Sequence, residues 1–200
     1  MDEIRDKNGK TEQEFLRDYD VTQYFRPSVT VDVVLYKKIR DGLRILFVKR
    51  GGHPFIGKYA FPGGFVDEGE PCETAAAREL LEETHVSGIP FCQLVTVSTP
   101  NRDPRWRNIT VVYAAELDRD ITAVAGDDAA AAEWFDIHCA ADGTLSFRDD
   151  GKSFTVKLDV KRDAFGDIDL NNTRITERGA VAFDHAKVVY YLYNKIFGQG

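Results

Sequence analysis

Three glutamates lie close together in a stretch with helical spacing. Residues 72–86 read CETAAARELLEETHV, and on an α-helix Glu79, Glu82 and Glu83 share one face because they are related by i, i+3 and i+4. Like charges at this spacing repel, and Arg78 can pair with Glu82 but cannot neutralise all three. A hard divalent cation can, since Mg²⁺ favours a few carboxylates completed by water and substrate phosphate. The alternative is a solvated acidic face, the usual meaning of clustered glutamates.

The remaining residues of this helix are expected to place it against a sheet. We expect them to divide between two faces: toward the sheet Ala77, Leu80, Leu81 and Thr84, and on the acidic side Ala75 and Ala76. The small side chains would leave open space beside the glutamates.

Strand patterns surround the helix. VTVDVVLYKK alternates in hydrophobicity, Asp41-Gly42 is a hairpin turn signal, and LRILFVKR is apolar on both faces and should be a central strand. Further strands are predicted at FCQLVTVST and ITVVYAAEL, and a short strand is predicted at the end of AGDDAAAAEWFDI. A hairpin that turns at Asp150-Gly151 is predicted for TLSFRDDGKSFTVKL. AVAFDHAKVVYYLYNKIF has helical spacing. Mixed strands with few helices predict an α+β domain or a layered α/β/α domain.

The chain divides into an arm and one domain. Residues 1–27 are polar and form an N-terminal arm, in which Thr11 and Glu14 have the spacing of a capping box and predict a short helix. Residues 28–200 are expected to form the domain, with 144–172 as a β-hairpin insertion and a C-terminal helix at about 181–197.

Composition excludes several classes of partner. The chain has 200 residues, is 43% hydrophobic and carries a formal net charge of -7, so non-specific binding to nucleic acid or anionic lipid is disfavoured. We find neither a signal-peptide pattern at the start nor an apolar run of membrane-spanning length, and we expect no membrane association. Cys72, Cys92 and Cys139 are few and widely spaced, which indicates reduced thiols in a cytoplasm.

A longer pattern includes the three glutamates. The pattern resembles the signature of the Nudix hydrolase family. It consists of Gly64, five residues, Glu70, seven residues and then Arg78-Glu79-Leu80-x-Glu82-Glu83. The resemblance implies the Nudix fold, a mixed β-sheet sandwiched between helices. His85 departs from the family pattern, which has glycine there, and histidine enters the left-handed region at a cost of about 1 kcal/mol.

The resemblance also implies a reaction and its residues. Nudix enzymes hydrolyse a nucleoside diphosphate linked to another moiety, with Mg²⁺ or Mn²⁺ as cofactor. The metal ligands carried over are Glu79, Glu82, Glu83 and the carbonyl of Gly64, while Glu70 and Arg78 orient the glutamates. The resemblance does not decide which residue is the general base. It is Glu79 or an acid on a later segment, for which the candidates are Asp127, Asp128 and Glu133. These three acids fit a solvated loop equally well.

Two basic spots could bind the substrate. Arg50 ends the second strand, and the loop NRDPRWRN places Arg102, Arg105 and Arg107 around Trp106, so that guanidinium groups could pair with phosphate and the indole could stack on a base. The alternative is an exposed connecting loop without function.

The same segments narrow the resemblance. KRGGHPFIGKYAFPGGF, NRDPRWRN and FDHAK are similar to the subgroup that contains ADP-ribose pyrophosphatases and Nudix-related transcriptional regulators. This implies cleavage of ADP-ribose to AMP and ribose 5-phosphate by a homodimer.

Two alternatives remain. The first is hydrolysis of another nucleotide, such as an oxidised nucleoside triphosphate or a dinucleotide. The second is a ligand-sensing regulator, which would be expected to add a basic winged helix, whereas the chain after Ala140 has 9 Lys/Arg against 9 Asp/Glu. We therefore expect a small-molecule nucleotide substrate and no nucleic acid.

Overall fold

A long mixed β-sheet forms the centre of the computed structural model, which describes residues 4–118, 121 and 129–198. Its strands are β1 (Ser28–Ile39), β2 (Gly42–Arg50), β3 (Tyr59–Ala60), β4 (Gly63–Phe65), β5 (Cys92–Val97), β6 (Asn108–Glu116), β7 (Ala129–Cys139), β8 (Thr144–Arg148), β9 (Ser153–Asp159) and β10 (Arg174–Glu177). The spatial order is β10-β9-β8-β7-β2-β1-β6-β5, with β3 paired to β2 and β4 paired to β1. The predicted central position of β2, between β1 and β7, is confirmed.

Helices cover both faces of the sheet. The described residues contain α1 (Glu12–Asp18), α2 (Cys72–Thr84) and α3 (His185–Phe197). Alternation along β1 sends Val31 and Val33 into the core that includes residues of α2, and Val34 into the core that includes residues of α3. The predicted arrangement, a mixed sheet sandwiched between helices in an α/β fold, is confirmed.

The strand pairing brings the second half of the chain onto the first. β1 runs antiparallel to β2 through the predicted Asp41-Gly42 turn and parallel to β6, with Asp32 opposite Val112. The predicted hairpin after residue 144 is confirmed as β8 and β9, which extend the sheet beyond β7. β7 is longer than the short strand expected, and β10 and the two-residue strand β3 were not predicted.

The buried side of α2 differs from the predicted one. Ala75, Ala76, Leu80 and Thr84 are buried, whereas Ala77 and Leu81 are exposed. The buried stripe follows the i, i+4 line from Ala76 through Leu80 to Thr84 and includes the side next to it. The expectation that Ala75 and Ala76 leave open space beside the glutamates was therefore wrong, and the acidic side of the helix turns partly toward the sheet.

The N-terminal arm contains the predicted short helix. Thr11 caps α1 and forms a capping box with Glu14, since each side chain accepts a hydrogen bond from the other residue's backbone N–H. No residue of α1 is buried, and the arm exposes large apolar side chains, among them Leu16, Tyr24 and Phe25.

The C-terminal helix begins later than expected. α3 starts at His185 rather than near 181, because Phe183 has φ +46°, which a right-handed helix cannot contain. No helix within the described ranges is long and apolar enough to cross a membrane.

His85 ends α2 in the left-handed conformation that glycine adopts at this place in the family pattern. Its φ and ψ are 57° and 18°, and its backbone N–H donates to Leu81 O at 2.8 Å. A residue with a Cβ atom pays for this conformation, whereas glycine does not.

A comparison of His85→Gly with His85→Ala isolates this cost, since both variants lose the imidazole. We expect His85→Gly to be more stable than His85→Ala by about 1 kcal/mol in urea unfolding. Equal stability of the two variants would show that the left-handed conformation of residue 85 is not retained in solution.

Candidate active site

The short strand β4 brings main chain against the acidic side of α2. Gly63 and Gly64 pair with Asp32 and Val31 of β1, and Gly63 N–H donates to Glu83 Oε2 at 3.0 Å. A Cβ atom on Gly64 would collide with the carboxylate of Glu79. A side chain at position 64 would therefore displace the Glu79 carboxylate from its place beside the main chain.

Arg78 lies at the centre of the carboxylates. Its Nε and Nη2 donate to the two oxygens of Glu70, each at 3.0 Å, and its Nη1 lies 2.8 Å from Glu79 and 3.2 Å from Glu82. Nη2 also donates to Phe65 O at 3.0 Å, which ties α2 to the end of β4. These contacts raise the pKa of Arg78 and lower the pKa of Glu70. The structure brings together the pair that the sequence assigned to orienting the glutamates.

Glu83 is the glutamate of the three for which the structure shows no contact with Arg78. Burial raises the pKa of Glu83 to about 7, the charges of Glu79 and Asp32 add to this, and the Gly63 N–H opposes it. Burial also raises the pKa of Glu79, against the effect of Arg78. Negative charge between α2 and β4 is therefore only partly compensated by protein groups.

The donor set fits a hard divalent cation, but the side chains are not gathered around one point. Within residues 4–118, 121 and 129–198, no group of three or more His, Cys, Asp or Glu side chains is arranged to hold a metal ion. The guanidinium of Arg78 pairs with both Glu79 and Glu82, and the Glu82 side chain is 56% exposed. Oxygen donors and the uncompensated charge at Glu83 match what Mg²⁺ favours. The metal ligands predicted from the sequence stay a prediction.

A cavity of about 140 Å³ is lined by Gly63 and Gly64. Its walls come from β1, β2, β3, β4, the loop after β5 and the start of α3: Thr30, Val31, Asp32, Arg50, Ala60, Phe61, Gly63, Gly64, Phe65, Arg102, Asp103, Arg105, Phe183 and His185. The glycine strand thus borders both the acidic side of α2 and a cavity that contains arginines.

Arg50 and Arg105 line this cavity, as the substrate-binding prediction requires. Arg50 Nε donates to Pro54 O at 2.7 Å, and Arg105 pairs with the buried Asp103 at 2.7 Å. The two guanidinium groups are close enough that the charge of Arg105, after burial, helps to lower the pKa of Arg50. A bound anion would relieve that repulsion.

Arg102, Trp106 and Arg107 are placed differently. Arg102 reaches the cavity wall, but its Nε and Nη2 donate to the carboxylate of Asp184 at 3.0 and 2.7 Å in a pair that is almost fully buried. Trp106 is 60% exposed, contacts the ring of Phe25 and lies outside the cavity lining, as does Arg107. The structure therefore brings three of the five predicted substrate-binding residues to the cavity, Arg50, Arg102 and Arg105, and the Arg102 side chain is almost fully buried in its pair with Asp184.

The candidate general bases on later segments are not placed at the cavity by the described residues. Glu133 accepts from Tyr59 Oη at 2.9 Å, pairs with Lys152 and is not part of the cavity lining. Asp127 and Asp128 lie outside the described residues.

A buried polar group at the cavity wall was missed by sequence reasoning. Asp32 Oδ2 accepts from Thr110 Oγ1 at 2.6 Å, and its Oδ1 lies 3.4 Å from His185 Nε2. His185 Nδ1 accepts from Phe61 N at 2.9 Å, and burial lowers the pKa of His185, so the neutral ring can donate from Nε2. The available signal was a lone acid inside the apolar run VTVDVVL, since unpaired acids are rarely buried.

The raised pKa of Glu83 predicts how stability depends on pH without metal. The folded protein holds this proton up to about pH 7, whereas the unfolded chain releases it near 4.5, so stability present below pH 4.5 is lost as the pH rises through 7. We expect this loss to be about 3 kcal/mol. In Glu83→Gln this loss of stability should be absent, because the amide does not ionise. The amide oxygen can still accept the hydrogen bond from Gly63 N–H.

Urea unfolding of both proteins in chelator at pH 4.5 and pH 8 measures the difference. Similar stability at pH 4.5 and a more stable variant at pH 8 are expected. A stability difference that is the same at both pH values would contradict the buried position of Glu83.

Comparison with known proteins places these features in a family. The NUDIX domain profile matches residues 26–154. An ADP-ribose pyrophosphatase of Methanocaldococcus jannaschii is 40% identical over 115 residues, which are 58% of this chain and 65% of that protein. The ADPR responsive transcriptional repressor NtrR of Acinetobacter baylyi is 34% identical over 110 residues, which are 54% of this chain and 44% of the repressor.

A solved structure extends the similarity to almost the whole chain. The crystal structure of a MutT/nudix family protein from Enterococcus faecalis matches with a TM-score of 0.75 and 30% identity, covering 94% of this chain and 70% of that one. The profile covers more than half of the chain and includes the glutamate helix, the glycine strand and the cavity arginines. The chain therefore belongs to the Nudix family.

Proposed function

We propose that this chain is a metal-dependent pyrophosphohydrolase that cleaves ADP-ribose to AMP and ribose 5-phosphate. The observation that carries the proposal is that two kinds of charge meet at one glycine strand. Gly63 and Gly64 contact the carboxylates of Glu83 and Glu79, and the same two glycines line the cavity that contains Arg50 and Arg105. A diphosphate with a bound cation is complementary to both kinds of charge at once.

The acidic side supplies the metal site of this proposal. Glu79, Glu82, Glu83 and the carbonyl of Gly64 would hold Mg²⁺ or Mn²⁺, which supplies Lewis acidity and lowers the pKa of a bound water. Arg78 and Glu70 keep the glutamates in register, because the bidentate Arg78–Glu70 pair fixes the guanidinium that contacts Glu79 and Glu82.

The cavity supplies the proposed binding of the phosphate groups. The Nη atoms of Arg50 take part in no hydrogen bond within the described part of the chain, so they are left for a ligand. Phe65 and Phe183 add aromatic surface to the same walls, on which a base or sugar can pack. These groups would orient a nucleotide and exclude water from its diphosphate.

ADP-ribose is favoured among nucleotide substrates by the relatives. Both the archaeal pyrophosphatase and the bacterial repressor are named for ADP-ribose. Another nucleotide, such as an oxidised nucleoside triphosphate or a dinucleotide, would use the same charges with different contacts in the cavity.

We also propose that the protein is a homodimer. The arm exposes the apolar side chains of Phe15, Leu16, Tyr24 and Phe25 to a large extent, and Phe25 contacts Trp106 of the loop that carries Arg102 and Arg105. Exposed apolar surface of this kind is typical of an interface.

The second candidate function is a ligand-sensing regulator, which the match to the repressor NtrR favours. It would share the cavity but bind DNA and leave ADP-ribose intact. The formal balance of 9 Lys/Arg against 9 Asp/Glu after Ala140 provides no basic surface by composition.

A nucleotide panel distinguishes these functions. With Mg²⁺ or Mn²⁺ we expect ADP-ribose to give AMP and ribose 5-phosphate, identified by mass spectrometry, with turnover lost in chelator and restored by the metal. Cleavage of a triphosphate with ADP-ribose untouched would contradict the substrate. Unchanged nucleotides together with a gel shift of promoter DNA at physiological salt would favour the regulator.

A further inference from the structure

Phe183 lies under two of the cavity arginines, Arg50 and Arg105. The centre of its ring is 5.0 Å from the guanidinium carbon of Arg50 and 5.8 Å from that of Arg105. Arg105 also lies over Phe65 at 5.2 Å, so its guanidinium is in contact with two aromatic rings. Contacts of this kind attract a cation and fix the plane of its guanidinium without using its N–H donors.

The backbone at Phe183 is held in a conformation that phenylalanine rarely adopts. Its φ is +46°, and a bulky residue in the left-handed region persists only where its surroundings determine it. Three contacts do so: Arg178 Nη1 donates to Phe183 O, Phe55 packs edge-on at 4.9 Å, and the neighbouring Asp184 pairs with Arg102. The ring is only 7% exposed although its residue lines the cavity.

The cavity arginines differ in how far their guanidinium groups are buried. Arg102 and Arg105 each pair with a carboxylate through Nε and Nη2, but the Arg102 side chain is 5% exposed and the Arg105 side chain is 42% exposed, while Arg50 uses only Nε. Both Nη atoms of Arg50 and Nη1 of Arg105 are thus in no hydrogen bond of the described residues, and both arginines line one cavity. Two guanidinium groups kept together in this way are complementary to a dianionic group.

We propose that Phe183 is a positioning residue that holds Arg50 and Arg105 together as a clamp for the diphosphate of the ligand. The inference rests on the proposed function only for the identity of that ligand. The clamp itself requires a diphosphate of any origin, and inorganic pyrophosphate is its simplest probe.

The first test compares binding of pyrophosphate by calorimetry in chelator, so that no metal contributes. Phe183→Leu and Phe183→Met keep an apolar side chain but remove the ring face, and the clamp predicts that either weakens binding about tenfold. Phe154→Leu is the matched control, since Phe154 packs on Tyr59 and Phe147 away from the cavity arginines, and it should change the Kd less than about twofold. A thermal melt of each variant shows that it is folded.

The second test asks whether Phe183 acts through the arginines. In the Arg50→Ala/Arg105→Ala protein, Phe183→Leu should change the Kd for pyrophosphate less than about twofold, because residues that act as one unit are not additive. An equal loss in both backgrounds would overturn the clamp, as would unchanged binding by folded Phe183→Leu and Phe183→Met, or no pyrophosphate binding by the unmodified protein.

Hydrolysis separates the failure of this inference from that of the proposed function. If ADP-ribose is cleaved, Phe183→Leu should raise KM about tenfold and change kcat much less. An unmodified protein that binds pyrophosphate through the clamp but leaves ADP-ribose intact would refute the proposed function and leave the clamp standing.

Discussion

The repulsion among carboxylates on one side of α2 is the constraint on which the rest of the site depends. Arg78 compensates Glu79 and Glu82 and is itself fixed by Glu70, but the structure shows no such contact at Glu83. Glu83 is instead buried against Gly63 N–H, and its pKa is raised to about 7. The folded chain therefore holds a partly buried negative charge that a divalent cation can neutralise. The proposed chemistry follows from this excess of negative charge.

The fold brings distant segments of the chain together around these carboxylates and the neighbouring cavity. β4 pairs with β1, contacts glutamates of α2 and lines the cavity, and the same strand β1 carries Asp32 toward the start of α3. The Arg102–Asp184 pair ties the loop before β6 to α3, and Phe183 then lies beneath Arg50 and Arg105. Each contact joins segments that are tens of residues apart, so the cavity exists only in the folded chain.

Local patterns predicted the elements well. The capping box at Thr11, the Asp41-Gly42 turn and the hairpin after residue 144 all depend on neighbouring residues, and each was predicted. Strands β3 and β10 were missed because they are only two and four residues long and owe their pairing to partners elsewhere.

Side-chain pairing across the fold was harder to predict. Arg102 and Arg105 look equivalent in NRDPRWRN, yet Arg102 is buried in a pair with Asp184, 82 residues away, whereas Arg105 pairs with the nearby Asp103 and stays partly exposed. The burial of Ala75 and Ala76 depends on how α2 tilts on the sheet, which periodicity does not define. Asp32 and Phe183 gave weak signals for the same reason, since their roles come from contacts made by other strands and loops.

Calorimetric titration with Mn²⁺ tests the central claim most directly. We predict that the unmodified protein binds the ion near pH 7 with release of protons, seen as a dependence of the heat on the buffer, because Glu83 must ionise. Glu83→Gln should bind at least about tenfold more weakly without that release, and Glu73→Gln, an exposed change on the same helix, should bind like the unmodified protein. No binding, or equal affinity in Glu83→Gln, would contradict the account.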